Sequence, residues 1–483
     1  QWSSSAASDV YKRQIQMRIA MEDGVLVPWK KNRPEDTKTA WELMMADRGG
    51  LYLDSKPGLY TDVIELDFAS LFPSIIATRN ISPETLNCAC CQPTDAIVTS
   101  ENYLPLEINA ANSEFRRRRL EERVGTGLFP VPSCYALQVP GLSSHTCGRV
   151  HGFLGRVVAP IIERRRQLKQ QMVHKGDTID KQQNALKWLL VTCFGYTGYK
   201  NARFGRIEAH EAICAWAREI LLQTIAIAEE EGWTVLHAIV DCVWIHREDV
   251  SRREKQRLAK RFAERVTQEI GIPLEYEDLY SFIGFLPSRM HGAGSLTKYW
   301  AYGTKGLKVR GIESRQHSTC EWIRNLQETA LQIMVDCVDN GIDVTGKHVQ
   351  SAICGLLHEE LLRLDEHQIP PKELVITRRV TKTLEQFTVS TTTHSALLRA
   401  NALGHNILPG RKARFVVVKC DSKNPADRVI LLEEIDNSPS LRIDIAYYRE
   451  LAVRAAWAIL APYGWTDSEI AAGNKATTLF DFQ

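Results

Sequence analysis

The sequence predicts an α+β fold, because short apolar strand patterns alternate along the chain with long amphipathic helix patterns. Two of the strand patterns, "DVIELDF" and "HAIVDCVWI", each carry an aspartate near an end. Between them lie two helix patterns joined by the short connection "HKGDT", which predicts an antiparallel helical hairpin. The chain has 483 residues and 44% hydrophobic content, enough for a large core and about two to four domains.

Composition and charge narrow the classes of protein. The formal net charge is +2, so a nucleic-acid partner would have to be held by local basic patches. Twelve cysteines, with neither a signal peptide nor a long apolar span, indicate a reducing cytoplasm and no membrane role. The chain starts at Gln1, and residues 1–14 follow no clear pattern. We therefore expect residues 1–48 to be a truncated N-terminal segment whose first fourteen residues need not belong to the fold.

The first predicted strand covers residues 62–68 and ends near Asp67. Pro73 follows a few residues later and suits the first turn of a helix, where its missing N–H is not needed. This aspartate therefore lies at a junction between a strand and a helix.

Three helices follow in the pattern. The first covers residues 155–172, with Pro160 marking a kink or a late start. Arg165 and Lys169 are four residues apart on this helix and therefore share a face. The other two helices are predicted over residues 180–199, running into a glycine-bearing turn, and over residues 208–232, ending at Gly232.

The last strands of this region form a predicted pair over residues 233–248, with a turn at 239–242. Asp241 is the carboxylate in the middle of this apolar run, and an unpaired buried charge costs several kcal/mol. We expect its partner to be a cation shared with Asp67, because two carboxylates from neighbouring strands suit Mg²⁺. Arg165, Lys169 and Lys187 lie between them in sequence and suit a triphosphate, which indicates nucleotidyl transfer.

Each of these signals has a structural interpretation when it is taken alone. A single aspartate near a strand end is most often a turn or capping residue. The run "ERRRQLK" is typical of a solvated helical face. The ordered combination of the signals is what favours a functional site.

A second group of side chains has the composition of a metal site. Cys88 and Cys91, which flank Cys90 in "NCACC", combine with His145 and Cys147 in "HTC" to offer four ligands for tetrahedral Zn²⁺. Reduced cysteines packed beside one another are the alternative interpretation. Between the two groups, "EFRRRRLEER" predicts an inserted helix whose arginines face solvent or DNA phosphates.

Several motifs in order resemble the family B DNA polymerases, from about Gly49 to the C-terminus. The stretch "DVIELDFASLFPSI" is similar to motif A of that family, and "GRVVAPIIERRRQLKQQM" is similar to its triphosphate-binding helix. Further along, "KWLLVTCFGYTG" resembles motif B and "HAIVDCVWI" resembles motif C. The segments "LTKYWAYG" and "KGLKVRGIE" resemble those that grip the primer terminus. A divergent, archaeal-type member is indicated.

The resemblance implies a polymerase right hand with an antiparallel-sheet palm, helical-hairpin fingers and a mixed thumb. The implied domains are a first palm segment with the cysteine-bearing insertion at 49–150, fingers at 151–200, a second palm segment at 201–303, and thumb with C-terminal tail at 304–483. The implied activity is template-directed DNA synthesis on a primer 3′ end. Some archaeal members of the family have a disulfide in the region of the cysteine group, which adds a third interpretation of it.

The resemblance also implies roles for individual residues. Two Mg²⁺ ions, with Mn²⁺ as a substitute, would be held by Asp67, Asp241 and the carbonyl of Phe68. Primer-template DNA would be contacted by Lys298, Lys305 and Arg310. A deoxynucleoside triphosphate would be contacted by Phe68, Ser70, Leu71, Phe72, Arg165, Lys169, Lys187 and Gly195, with Phe72 excluding a 2′-hydroxyl. The expected location is the cytoplasm, in association with the nucleoid.

The chain departs from the family pattern at several positions. Ile239 replaces the first motif C aspartate and Val191 replaces the motif B asparagine, while His237, Phe194 and Cys242 replace tyrosine, tyrosine and serine. A silent polymerase-like subunit that binds primer-template is therefore an alternative. A metal-dependent nuclease or strand-transfer enzyme is a third, although it would leave the triphosphate-binding cations without a purpose.

Two expectations concern the ends of the chain. Only 66 residues precede Asp67, so we expect this chain to lack the N-terminal proofreading domain of the family. Residues 475–483 resemble a degenerate sliding-clamp-binding tail, with packing on the thumb as the alternative.

Overall fold

The computed structural model describes residues 2–473 except 23, 25, 32–34, 47, 92–96, 99–135, 172–176, 200 and 439–440. The predicted arginine-rich helix at 114–123 and the predicted clamp-binding tail at 475–483 therefore lie outside the described residues. The chain divides into two compact units. Unit 1 comprises Gln1–Leu53 and Ile64–Asp278, and unit 2 comprises Asp54–Val63 and Leu279–Gln483. The predicted domain boundaries stay a prediction.

Unit 1 contains most of the helices that the sequence predicts to surround the site. Their bounds are α1 Trp2–Glu22, α2 Ala40–Ala46, α3 Leu71–Thr78, α4 Phe153–Gln171, α5 Asp177–Thr197, α6 Ile207–Glu230 and α7 Arg252–Ile270. Pro160 lies inside α4, so that helix begins seven residues before the proline and not at it. The helices predicted over 155–172, 180–199 and 208–232 are confirmed as α4, α5 and α6. Residues 2–14 of the patternless start belong to α1, in which Lys12 is buried and donates to the Thr192 carbonyl at 3.2 Å.

The strands of unit 1 form two sheets. Their bounds are β1 Tyr52–Leu53, β2 Gly58–Phe68 (of which residues 64–68 belong to this unit), β3 Ile97–Val98, β4 Ala136–Gln138, β5 His145–Thr146, β6 Thr234–Ile239 and β7 Cys242–His246. In the first sheet, β1, β6, β7 and β2 are neighbours in that order and pair antiparallel. The short strands β3, β4 and β5 make the second. The predicted strand pair with its turn at 239–242 is confirmed as β6 and β7.

Burial of α3 anchors the region in which the first aspartate lies. Seven of its eight residues are buried, because the run "LFPSIIA" is almost wholly apolar. The guanidinium of Arg79, just after the helix, is buried as well and donates to the Ile270 carbonyl at 2.8 Å. It lies 4.9 Å from the Trp216 ring, a cation–π distance. This buried packing fixes the position of the residues between β2 and α3.

Unit 2 has its own core of antiparallel strands and helices. Its strands are the distal part of β8 Leu274–Pro287, then β9 Gly294–Gly303, β10 Gly306–Arg310, β11 Ile376–Arg379, β12 Lys412–Val417 and β13 Val429–Leu431. Its helices are α8 Glu321–Asp339, α9 Lys347–Asp365, α10 Thr392–Ala402, α11 Leu432–Ile435, α12 Ile445–Leu460 and α13 Asp467–Ala472. Trp300 is fully buried in this core, and its Nε1 donates to the Ala458 carbonyl at 2.9 Å. Gly284 makes room for the indole, since a Cβ there would lie 2.4 Å from Trp300 Cζ2.

The predicted α+β class is confirmed, because helices and mainly antiparallel sheets build both units. No helix within the described ranges is both long and apolar enough to span a membrane.

Candidate active site

Strand register brings the two predicted aspartates together. Asp67 lies near the end of β2, opposite Cys242 on β7, and Asp241 lies in the turn between β6 and β7. The Phe68 amide donates to the Asp241 carbonyl at 2.9 Å, which ties the end of β2 to that turn. One ligand atom from each of Asp67, Asp241 and Cys242 falls within 4.8 Å of the others. The convergence that the sequence predicts is therefore present in the fold.

The turn that carries Asp241 is strained. Val240 has φ 53°, in the left-handed region that β-branched residues avoid, and the Asp241 amide donates to the Ile239 carbonyl at 2.6 Å. Gly50 packs against Val240, where a Cβ would lie 2.8 Å from its Cγ2. Such a conformation costs on the order of 1–3 kcal/mol and persists only where the surroundings enforce it. The turn thus holds Asp241 in place at a cost in stability.

The two carboxylates repel each other in a poorly hydrated place. Burial, and then the charge of Asp241, raise the pKa of Asp67 to about 7. Burial also raises the pKa of Asp241. Burial and the adjacent carboxylates raise the pKa of Cys242, so its thiol keeps a proton and donates to Asp67 Oδ1 at 3.3 Å. A divalent cation fits this pair, because carboxylate oxygens are the ligands that Mg²⁺ prefers and its charge would offset the repulsion.

The cationic side chains predicted from the helices face the same cavity, which has a volume of about 290 Å³. Arg165 Nη1 donates to Ser70 Oγ at 2.6 Å, and Lys169 Nζ pairs with Glu275 Oε2 at 2.7 Å. Lys187 is exposed on the cavity wall. The lining comprises Asp67, Phe68, Ala69, Ser70, Leu71, Phe72, Pro73, Arg165, Lys169, Lys187, Leu190, Val191, Phe194, Asp241 and Glu275. Carboxylates and cations thus line one pocket in unit 1.

A column of aromatic rings lies at one side of the pocket. Phe72 stacks on Phe194 with centroids 4.2 Å apart, and Phe194 stacks on His210 at 4.4 Å. Phe194 is one of the departures from the family pattern, and here it supports Phe72. Gly195 is exposed, and a Cβ there would meet nothing within 4 Å, so this chain itself does not require glycine at that position.

Two other predicted nucleotide contacts are restricted to the main chain. The side chains of Phe68 and Leu71 are 1% and 2% exposed, which leaves only their backbone groups to face a ligand. Ser70 has φ 54° and presents its hydroxyl to Arg165. The predicted roles of these residues stay predictions.

Sequence reasoning missed two polar side chains of the site, Glu275 on the pocket wall and Cys242 beside the two aspartates. Glu275, at the start of β8, holds Lys169, and no local pattern in "PLEYEDLY" distinguishes it from the other acidic residues. Cys242 stands out in the sequence only as a departure from the family pattern, although its position next to Asp241 in a predicted hairpin was a signal that it would face Asp67.

The predicted DNA-contacting cations lie on the β9–β10 hairpin of unit 2. Register pairs Arg310 with Tyr299, so these two share a face, whereas alternation places Lys298 on the face of Trp300. Lys305 lies in the connecting turn. The structure therefore does not bring Lys298 and Arg310 onto one face.

The cysteine group differs from the predicted zinc ligands in one member. Its sulfurs belong to Cys88, Cys90, Cys91 and Cys147, and all lie within 4.8 Å of one another. His145 is outside this group, with Nε2 3.6 Å from the Cys88 sulfur alone. The predicted set omitted Cys90, because spacing in sequence did not reveal that Cys90 Sγ lies 3.3 Å from Cys147 Sγ. Every cysteine in the described ranges has a free thiol.

Comparison with known proteins identifies the chain's relatives. The family model for DNA polymerase family B matches residues 10–462. The DNA polymerase of Thermococcus gorgonarius is 25% identical over 464 residues, which are 94% of this chain and 52% of that protein. DNA polymerase 2 of Saccharolobus solfataricus is 30% identical over 272 residues, covering 56% of this chain and 33% of that protein.

The fold has a similar counterpart among solved structures. The family B DNA polymerase from Pyrobaculum calidifontis matches with a TM-score of 0.59 and 20% identity, over 92% of this chain and 49% of that one. Nearly all of this chain matches the polymerases of Thermococcus gorgonarius and Pyrobaculum calidifontis, and it spans about half of the length of each. Because the family model covers nearly the whole sequence, the chain belongs to the family B DNA polymerases.

Proposed function

We propose that this chain catalyses template-directed DNA synthesis, adding deoxynucleotides to a primer 3′ end. The observation that carries the proposal is the single pocket that combines Asp67 and Asp241 with Arg165, Lys169 and Lys187. Paired carboxylates can bind divalent metal ions, and the three cations can neutralise the negative charge of a triphosphate.

The aspartates, with the Phe68 carbonyl, would hold two Mg²⁺ ions, or Mn²⁺ in their place. When bound, these ions supply Lewis-acid stabilisation at the attacking and leaving oxygens. Arg165, fixed by Ser70 at 2.6 Å, is already oriented toward the pocket and would bind a phosphate in that orientation. Lys169 would leave Glu275 for the triphosphate, and Lys187 would approach it from α5.

The elements of a polymerase hand follow from the same proposal. The β1-β6-β7-β2 sheet would be the palm, and α4 with α5 would be the fingers hairpin that presents the cations. The β9–β10 hairpin would grip the primer-template through Lys298, Lys305 and Arg310, and the helices of unit 2 would form the thumb. With these cations on two faces of the hairpin, Lys298 and Arg310 would contact different strands or different phosphates.

Deoxynucleotides are the proposed substrate because of Phe72. Its ring is held against Phe194, so it cannot move aside for a 2′-hydroxyl without breaking the stack. Phe72→Ala should therefore raise ribonucleotide incorporation relative to deoxynucleotide incorporation. Phe204→Ala, which removes a ring packed at a tilt against Phe153 with centroids 4.7 Å apart, is the control. Unchanged discrimination in Phe72→Ala would remove this residue from the role.

Primer extension with Mg²⁺ or Mn²⁺ tests the activity itself. Asp241→Asn keeps the shape of the side chain but removes a charge that a metal requires, so extension should fall roughly a thousandfold or more. Binding of primer-template, measured by fluorescence anisotropy, should change little because it depends on lysine and arginine contacts. Asp249→Asn is the control, since Asp249 is exposed and forms its ion pair with Arg247 outside the pocket.

The alternatives predict different outcomes in the same assays. A silent binding subunit would extend no primer with either metal, and would bind DNA equally well before and after Asp241→Asn. A nuclease would shorten the primer in the absence of nucleotides. Clamp binding through residues 475–483 is a separate proposal, and deletion of those residues should abolish clamp-stimulated synthesis while basal extension continues.

A further inference from the structure

We propose that Cys88, Cys90, Cys91 and Cys147 form a tetrathiolate site for one Zn²⁺ ion. This site is separate from the pocket, and the proposal does not depend on the function proposed above. The four sulfurs lie within 4.8 Å of one another, although Cys147 is 56 residues or more from the other three in sequence. Three of them belong to the short loop "CACC", and the fourth follows β5.

The distances between sulfurs match a single tetrahedral ion. Zinc–sulfur bonds of about 2.3 Å in a tetrahedron place the sulfurs about 3.8 Å apart. Cys90 Sγ and Cys91 Sγ lie 3.3 Å and 3.9 Å from Cys147 Sγ, on either side of that separation. A metal cluster with several irons would hold the cysteine sulfurs farther apart. One ion therefore fits these two separations, and the 4.8 Å limit on the other sulfur pairs agrees with it.

Neither alternative interpretation accounts for four sulfurs. A disulfide needs a bond of about 2.05 Å, which no pair of these cysteines has, and it would in any case use only two of them. Simple packing of reduced thiols does not require a backbone donor at sulfur, whereas the Arg149 amide donates to Cys147 Sγ at 3.4 Å. A backbone N–H directed at sulfur is the kind of outer contact that supports a thiolate ligand.

The burial and ligand count indicate a structural role. Cys91 and Cys147 are 7% and 3% exposed, so half of the site is shielded from solvent. Four protein ligands leave no open position for water or substrate, as in structural and not catalytic zinc sites.

A zinc ion at this site would stabilise the position of the first residues of α4. The Cys147 amide donates to the Thr85 carbonyl at 2.8 Å, and Asn80 Nδ2 donates to the carbonyls of Cys147 and Val150, both at 2.7 Å. A few residues on, Glu84 and Ser82 accept hydrogen bonds from the first amides of α4, those of Phe153 and Leu154.

These contacts form a continuous path from the sulfurs to the N-terminus of α4, and α4 carries Arg165 and Lys169 further along. An ion that joins the "CACC" loop to Cys147 would therefore close the chain around its insertion and fix the base of this helix.

Metal content of the whole purified chain tests the proposal. Elemental analysis should find about one zinc per chain, and Cys147→Ser should reduce it at least tenfold. His145→Ala should keep the metal, which distinguishes the four-cysteine set from a set that includes histidine. Cys420→Ser, at an exposed cysteine in unit 2, is the matched control and should also keep it.

A second measurement covers the case in which Cys147→Ser fails to fold. Exchange of the unsubstituted chain with Co²⁺ should give the intense visible bands of a tetrahedral site, together with sulfur-to-cobalt charge-transfer absorption. Zinc below about a tenth of an ion per chain after refolding with Zn²⁺ would overturn the proposal. Iron together with inorganic sulfide, or loss of zinc in His145→Ala but not in Cys90→Ser, would overturn it as well.

Discussion

The carboxylate pocket and the cysteine group both bring together side chains of the kinds that bind metal ions, but they are assembled in different ways. Asp67 and Asp241 come from a paired strand and the turn beside it, where register places Asp67 opposite Cys242. The cysteines come from irregular segments that are held by hydrogen bonds between side chains and main chain, such as those of Asn80. The pocket thus inherits its geometry from a sheet, whereas the cysteine group depends on a few local contacts.

This difference predicts how each site should respond to substitution. A site built on a sheet should keep its shape when a ligand is removed, so a substitution there should affect chemistry and leave stability largely unchanged. A site built on irregular segments should lose its shape when a supporting contact is removed, so a substitution there should affect stability first.

The largest expected effect separates the two sites by chemistry. Asp67→Asn removes one of two carboxylates from the pocket, and we expect primer extension to fall about a thousandfold, equivalent to ~4 kcal/mol of barrier. Zinc content and melting temperature should not fall, because the sheet is unchanged and a repulsive charge is gone. Single-turnover extension, elemental analysis and thermal melting measure the three quantities. A variant that lost its zinc would show that the sites are coupled.

The next effect tests the irregular segments. Glycine adopts the φ of 54° at position 80 without strain. The Asn80→Gly variant loses the hydrogen bonds between the amide side chain and Cys147, Val150 and Gly152. Loss of these bonds should lower the free energy of unfolding by about 2–3 kcal/mol and make zinc easier to remove with a chelator. Chemical denaturation measures the first quantity, with the exposed Asn401→Gly as control. Full stability in Asn80→Gly would show that the cysteine group does not depend on this contact.

The third prediction concerns pH and the pocket. The pKa of Asp67 is about 7 in the metal-free fold against an ordinary 3.8, so between these values the folded protein holds a proton that the unfolded chain has released. Stability without Mg²⁺ should therefore decrease as pH rises toward 7 and level off above it. Added Mg²⁺ should raise the melting temperature more at pH 8 than at pH 5.5, and Asp67→Asn should remove most of that difference. Melting curves with and without Mg²⁺ at the two pH values measure this difference. Equal Mg²⁺-induced shifts of the melting temperature at both pH values would contradict the predicted ionisation of Asp67.

The smallest expected effect concerns a single ion pair in the pocket. Lys169 and Glu275 are 37% and 43% exposed, so their pairing contributes only about 0–1 kcal/mol. Glu275 competes with a triphosphate for Lys169, and Glu275→Gln should lower the nucleotide KM about two- to threefold, with kcat little changed. Glu269→Gln, which disturbs a pair with Arg265, is the control. A higher KM in Glu275→Gln would show that Glu275 orients Lys169 and does not compete for it.

Much of the fold and of the pocket was predictable from local pattern. Strand alternation and the turn at Val240 and Asp241 predicted the hairpin, and helical spacing put Arg165 and Lys169 on one face. These features depend on neighbours within a few residues, where backbone geometry alone relates side chains.

Tertiary structure decided the features that depend on which distant segments meet. Glu275 reaches Lys169 from a strand more than a hundred residues away, and no period in the sequence relates the two. The choice of Cys90 over His145 depends on how an irregular loop closes on β5. The opposite faces of Lys298 and Arg310 depend on the register of β9 with β10. Local sequence thus determined which chemical groups each element carries, and packing determined which of them share a site, because loop closure and strand register are set by contacts between residues far apart in the chain.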